Sequence, residues 1–372
     1  MTSRERLLAA WKKQIPDRVP IYIRGVDVLS PRWRSSVHPS YQPLIAEVDE
    51  HCDKVVFWVH DSGFYFTRPD PAQRHTRTVP VDEAHVDDHL TIDTPAGPLT
   101  SITRRSLIGE PGMITKHFIA DLDDLDRFLS IPSRPAPQDP APFFEIDRRV
   151  GDAGITLVAL PHNPIGLAHT LMGSETLALW SALHRELLLA LLTELARRFL
   201  DFVKSLVALG VGPLFSTLGH EVCLPPLQSP HDFRDFVVAI DQPFMDLIHD
   251  SGGMVHVHCH SNLRDVLDGF IALRTDVLHP FEAPPMGDIT LRDAKAYVRG
   301  KICIEGNMQI GDLMRLTSAE IRDKTAEIIA DAAEGGGLIL CPTASPYTPV
   351  LDDRQLENYR AFIHTALDLG RY

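Results

Sequence analysis

This sequence predicts an α/β fold, a (β/α)8 TIM barrel carrying an inserted β-hairpin. Three observations lead there. Eight short apolar runs recur along the chain, separated by segments of helical period. Neither a GxGxxG fingerprint nor a Walker motif occurs, which removes the usual signatures of a doubly wound sheet. The 372 residues suffice for one large barrel, and no low-complexity tract or convincing internal repeat divides them. One domain over residues 1–372 is expected.

The elements follow in order. Ser3 caps an opening helix with Leu7, Leu8 and Trp11 on one side, and Pro16-Asp17-Arg18 ends it. The strand-like runs are Val19 to Ile23, Val55 to Val59, Ile155 to Leu160, and a less regular fourth around Pro213 to Leu218. Met254 to Cys259, Val277 to Phe281, Ile302 to Ile304 and Leu338 to Leu340 complete the eight. Ser174 precedes a long apolar-periodic helical segment that reaches Leu209 and breaks near His184. Ser229-Pro230 opens another ending at Gly252-Gly253, and Thr317-Ser318-Ala319-Glu320 is a capping box. From about 66 to 144 the alternation is interrupted. A turn at Pro95-Ala96-Gly97-Pro98 predicts a hairpin over Thr91 to Arg104, and a Pro-rich connector, Ile131 to Pro142, returns the chain to the barrel.

Composition excludes several functions. A formal charge of -14 leaves no basic face for nucleic acid or an anionic membrane. The five cysteines, Cys52, Cys223, Cys259, Cys303 and Cys341, are odd in number and form no CxxC pair, which suits a reducing compartment. No run approaches membrane-spanning length and residues 1–6 carry no apolar signal core. A soluble, cytoplasmic protein acting on a small molecule is expected, and a homo-oligomer is compatible with this composition.

Met254 to Cys259 and the following His260 carry the most information. A Gly252-Gly253 break precedes the run, and Val255, Val257 and Cys259 alternate with His256, His258 and His260. Side chains alternate faces along a strand, so three imidazoles share the inner face, and each needs a partner, ligand or metal. Barrel enzymes work at the C-terminal ends of their strands. Arg24 follows the first run, His60 and Asp61 the second, His162 and Asn163 the third, and His220 and Glu221 the fourth. His258 and His260 end the fifth, Glu282 follows the sixth, Glu305 and Asn307 end the seventh, and Cys341 ends the eighth.

Two imidazole nitrogens and a thiol suit catalytic zinc, so His258, His260 and Cys341 are the expected ligands, with Glu221 or Glu282 as an exchangeable fourth. Cys259 is the rival ligand, turned by strand alternation toward the helix layer. Cys303 is expected to pack in the core. Glu305 reads as an acid/base or a partner to a histidine, or else as a carboxylate paired with a barrel arginine. Arg24 reads as the grip on a substrate carboxylate, or as an ion-pair partner of Asp27 or Asp61. His60, His162, Asn163 and Asn307 are expected to line the substrate pocket.

With these residues in place, the sequence resembles the uroporphyrinogen decarboxylase superfamily over nearly its whole length. The resemblance runs through Met1-Thr2-Ser3-Arg4-Glu5-Arg6-Leu7, Pro16-Asp17-Arg18-Val19-Pro20-Ile21, the block from Ser229-Pro230 through His258, Glu305-Gly306-Asn307 and Gly335-Gly336-Gly337. It implies a (β/α)8 barrel. It also implies one of two chemistries: decarboxylation of porphyrinogens without a cofactor, or zinc-dependent methyl exchange between corrinoid proteins and thiols. The methyltransferase branch carries His-x-Cys-Gly on the fifth strand and a later cysteine; here the run is His258-Cys259-His260-Ser261, with His260 in place of the cysteine. The decarboxylase arginine motif begins at Arg24 but continues as Gly25-Val26-Asp27, which leaves one cation where eight carboxylates need several.

The leading expectation is therefore a zinc-dependent methyltransferase with a methyl-corrinoid protein as partner. A cofactor-free decarboxylase, with Arg24 on the carboxylates and Asp61 stabilising developing positive charge, is the alternative. A non-catalytic, corrinoid-docking barrel is a third.

Overall fold

The computed structural model of the chain describes residues 1–67, 71–109, 111–133 and 137–372. Its strands are β1 (Lys54–Val59), β2 (Arg74–Pro80), β3 (His85–Thr94), β4 (Gly97–Ser106), β5 (Met113–Lys116), β6 (Gly154–His162), β7 (Leu214–Leu218), β8 (Met254–Cys259), β9 (Val277–Pro280), β10 (Cys303–Met308) and β11 (Leu338–Pro342). Seven form a parallel sheet in the order β1-β6-β7-β8-β9-β10-β11, with helices in the connections, while β2 to β5 form a separate antiparallel sheet. The parallel sheet curls. Val55 on one edge strand and Ile339 on the other share a single apolar cluster, which a flat sheet would not allow.

Strand alternation divides the molecule into two layers. Val255, Val257 and Cys259 of β8 pack into the large cluster that holds the helices, and Met254 packs with the inner cluster. The opening helix, Ser3–Trp11, floors that inner cluster with fully buried Leu7, Ala10 and Trp11. Its cap is Thr2 rather than the expected Ser3. Thr2 Oγ1 accepts from the Glu5 N–H at 3.2 Å, and the Glu5 carboxylate accepts from the Thr2 N–H at 2.9 Å.

Among the described residues seven strands, not the expected eight, make up the parallel sheet, which is a curled half-barrel. The missing one is the first run, Val19 to Ile23, which contributes a single parallel bridge between Ile21 and Leu340. The Tyr22 N–H donates to Leu340 O and the Leu340 N–H to Pro20 O, each at 2.8 Å. Pairing goes no further for two reasons. Pro20 has no N–H, and the Ile21 N–H is taken by the Asp53 carboxylate at 2.9 Å.

The predicted hairpin is present as β3 and β4, paired from His85–Ser106 to Thr94–Gly97. It belongs to a larger sheet than expected, because β2 and β5 flank it. Of the Pro-rich connector, residues 134–136 lie outside the described residues. The helical segment through Ser174 spans Pro164–Leu183, kinked at Gly173 (φ 74°), and the expected break at His184 separates it from Arg185–Ala208. The segment opened by Ser229-Pro230 runs to Asp250, and the Thr317–Glu320 capping box starts the helix Ser318–Ala332.

Candidate functional site

The inward-facing polar residues of the curled sheet collect in one buried layer above the apolar floor. Ser216 Oγ lies 2.9 Å from His256 Nδ1, and His256 Nε2 lies 3.6 Å from Glu305 Oε1. Arg24 brings Nη1 to 3.8 Å of the same carboxylate oxygen, its guanidinium over the Phe57 ring. His279, Glu305 and Cys341, all buried, hold their ligand atoms within 4.8 Å of one another. Parallel register explains the meeting: β9, β10 and β11 are neighbours, with Asn307 opposite Cys341 and His279 opposite His258.

Hydrogen bonds fix the tautomers. The carbonyl oxygen of Pro342 only accepts, so His279 Nε2, 3.1 Å away, carries a proton. That leaves a lone pair on the neutral ring's Nδ1, and His258 Nδ1, at 2.8 Å, donates to it. Both rings are held neutral. Burial, then the charge of Arg24, drives His258 down to about 2 and His279 well below the ordinary histidine range. Burial likewise pushes the Cys341 thiol up, and the Glu305 carboxylate adds to the effect.

At the mouth, His260 Nδ1 and the Ser261 N–H each meet Glu282 Oε2 at 3.2 Å. Burial works to raise the Glu282 carboxyl, but these two partners overcome it and hold it below its usual range. His260 and Glu282 open onto a cavity of about 1160 Å³, bordered by Asn307, Gln309 and Tyr347. Asn307 is oriented there by donating Nδ2 to Phe281 O at 3.0 Å. Arg24 lines a smaller cavity of about 400 Å³ with Tyr22, Asp27, Trp33 and Phe57.

Several expectations need correction. His258 and His260 do share the inner face, their rings 4.7 Å apart, but neither joins Cys341 in a ligand group among the described residues. His279 and Glu305 do. Glu221 accepts from the Gly219 N–H at 3.2 Å in the turn His220–Cys223 and joins no such group. Asn163 is fully buried and engaged at both ends, accepting from the Gly166 N–H as a helix cap and donating to Asp241. His60 faces the helix layer against Trp58 and Phe202, because Phe57 takes the inward place on β1. Asp61 is exposed and accepts from the Gly63 N–H at 2.8 Å. His162, held below its usual pKa mainly by burial, borders neither cavity. Cys259 turns to the helices and Cys303 packs in the floor, as expected. Arg24 and Glu305 form the arginine–carboxylate contact foreseen for Glu305, in place of Arg24 with Asp27 or Asp61.

The donor set suits a metal ion. Nitrogen, oxygen and sulfur donors together select zinc-like ions over magnesium or calcium. Glu305 Oε1 and His256 Nε2 are buried and lack a hydrogen-bond partner, so the layer has unspent polar capacity next to those donors. Arg24 competes for Glu305, and an ion would share that carboxylate with it.

The uroporphyrinogen decarboxylase (URO-D) family profile matches residues 109–368. Among solved structures, a methyltransferase from Methanosarcina mazei is similar over 99% of both chains, with a TM-score of 0.60 and 17% sequence identity. That identity speaks for the fold. No curated protein matches the sequence.

Proposed function

We propose that this protein, which belongs to the uroporphyrinogen decarboxylase family, is a zinc-dependent methyltransferase. It moves a methyl group between a small substrate or corrinoid protein and a thiol or corrinoid acceptor. The observation that carries this reading is the buried His279–Glu305–Cys341 set on three neighbouring strands, with Glu305 and Cys341 each two residues before a residue that borders the open cavity, Asn307 and Thr343. The likeness in fold to a methyltransferase agrees with it. In this reading the chain is one domain whose sheet closes into a (β/α)8 barrel through residues 19–23, supported by the hydrogen bonds of Tyr22 and Leu340 and by the Asp53 N–H donating to Ile21 O at 2.7 Å.

His279, Glu305 and Cys341 would hold the ion, which would take the place of one of the two present partners of the His279 ring, His258 or the Pro342 carbonyl, while the other keeps the ring oriented. Zinc, when bound there, supplies the Lewis acidity that keeps a substrate thiol as its thiolate at neutral pH. The chain's own groups do the rest. His260, oriented by Glu282, takes the thiol proton as the substrate settles in the larger cavity. Arg24 grips a carboxylate of the small substrate from the adjoining cavity. The floor formed by Leu7, Ala10 and Trp11 keeps water from the buried layer.

The Nη1 of Arg24, buried and without a hydrogen bond although 3.8 Å from Glu305, favours one second reading, a cofactor-free decarboxylase that anchors its substrate through a carboxylate. Metal analysis combined with turnover separates the two. Purified protein is expected to carry tightly held zinc that His279→Ala and Cys341→Ser remove and Cys303→Ala retains. Methylcobalamin-dependent methylation of a thiol is expected to follow zinc content. Decarboxylation by metal-free protein, with no methyl transfer, would replace this reading with the second.

A further inference from the structure

The seam where residues 19–23 meet the two edges of the curled sheet is flanked by two helices, Gln42–His51 and Asp353–Leu369. The first leads into Asp53, whose N–H donates to Ile21 O, and the second into Gly370, whose O accepts from the Val19 N–H at 2.7 Å. Between them stands a second group of metal-ligand character. Glu47, His51 and His364 place one donor atom each within 4.8 Å of the others.

The geometry favours a cation there over a simple ion pair. Glu47 and His51 are one helical turn apart and so share a face. Arg360 Nε donates to Glu47 Oε1 at 2.9 Å, which turns Oε2 toward both imidazoles, 3.2 Å from His364 Nε2 and 3.9 Å from His51 Nε2. That oxygen hydrogen-bonds His364 and leaves His51 Nε2 out of hydrogen-bond reach, whereas an ion bonded to all three at about 2.0–2.2 Å would serve both imidazoles. Glu50 Oε1, 3.8 Å from His51 Nε2, adds a second negative charge. Arg360 is offset by its other partner, Glu357, at 3.0 Å. Arg18 donates Nη2 to His51 O, tying the group to the seam itself.

We infer that Glu47, His51 and His364 form a surface site for a zinc-class transition metal, and that the bound ion staples the first and last parts of the chain across the seam. Two imidazoles and one carboxylate suit zinc, cobalt or nickel and leave an outer position for water; magnesium and calcium prefer a shell made mostly of oxygen, and this group offers mainly nitrogen. This surface group shares no residue with the buried layer, so it can bind an ion whether or not the proposed activity holds.

Tag-free protein, stripped of metal by dialysis against chelator, is titrated with Zn2+ alone by calorimetry, in the wild type, His51→Gln and His364→Gln. His364 is half exposed, at 51%, so its replacement leaves the fold intact. Each variant is expected to lose one class of zinc binding, weakened by at least about tenfold. Zn2+ is expected to raise the melting temperature of the wild type more than that of either variant. The same difference is expected in a Cys341→Ser background, which keeps the surface site apart from the buried one. Equal zinc stoichiometry and affinity in wild type and both variants would overturn the inference, as would equal stabilisation by Mg2+ and Zn2+.

Discussion

His279 shows how much one residue's surroundings decide. Its Nε2 proton is committed to the Pro342 carbonyl, so the nitrogen facing His258 carries a lone pair. Glu305, beside it, is approached by Arg24 and His256 without a hydrogen bond to Oε1. Glu305→Gln keeps the shape and removes the charge those two groups face. It is expected to cost about 1–3 kcal/mol in denaturant unfolding and to abolish zinc retention. A variant of wild-type stability that still holds zinc would remove Glu305 from the site. His60 gives a cleaner test of burial, since it lies away from the donors. Burial between Trp58 and Phe202 holds it down to about 4, against an ordinary value near 6.5. The unfolded chain therefore takes up this proton first as pH falls. The His60 contribution is whole at neutral pH and is lost between about 6.5 and about 4, amounting to about 2 kcal/mol by pH 5. His60→Phe is expected to flatten that part of the stability–pH curve; an unchanged slope would contradict the assignment.

At the scale of elements, the opening helix is the floor on which the polar layer stands. Trp11 is fully buried in the inner cluster and its ring stacks near His256, with centroids 6.3 Å apart. Trp11→Ala is expected to cost about 3–5 kcal/mol, from lost burial and the cavity left behind, measured by the denaturant midpoint. A loss below about 1 kcal/mol would mean the helix is an accessory rather than a floor. Strand β8 was fully legible because two glycines start it and the Val/His alternation assigns its faces. The first run was not. Its apolar residues look like a strand's, but Pro20 and the Asp53 carboxylate reduce it to one bridge, and Asp53 reaches it from 32 residues away. The exposed strand β2 left no apolar pattern to read.

Across the whole molecule, local signals fixed the elements and long-range register fixed the site. Alternation placed His258, His260, Glu305 and Cys341 on inner faces, and placed Cys259 outside. Which of them touch depends on how neighbouring strands slide past each other, and no local pattern states that. His279 comes into the centre because it pairs in register with His258 across β8 and β9. Parity from Val277 to His279 was the signal that could have found it, since Val277 packs inward. Asn163 and His60 were placed by sequence at strand ends, where caps and outward parity take them out of the pocket. No helix among the described residues is long and apolar enough to cross a membrane, as the sequence had suggested. The buried His279, Glu305 and Cys341 are proposed to hold a metal ion, and anomalous diffraction at the zinc edge from crystals grown with zinc tests this directly. A peak is expected about 2.3 Å from Cys341 Sγ and about 2.0–2.1 Å from a His279 nitrogen. A peak on His260 and Glu282 instead, or none in the buried layer, would contradict it.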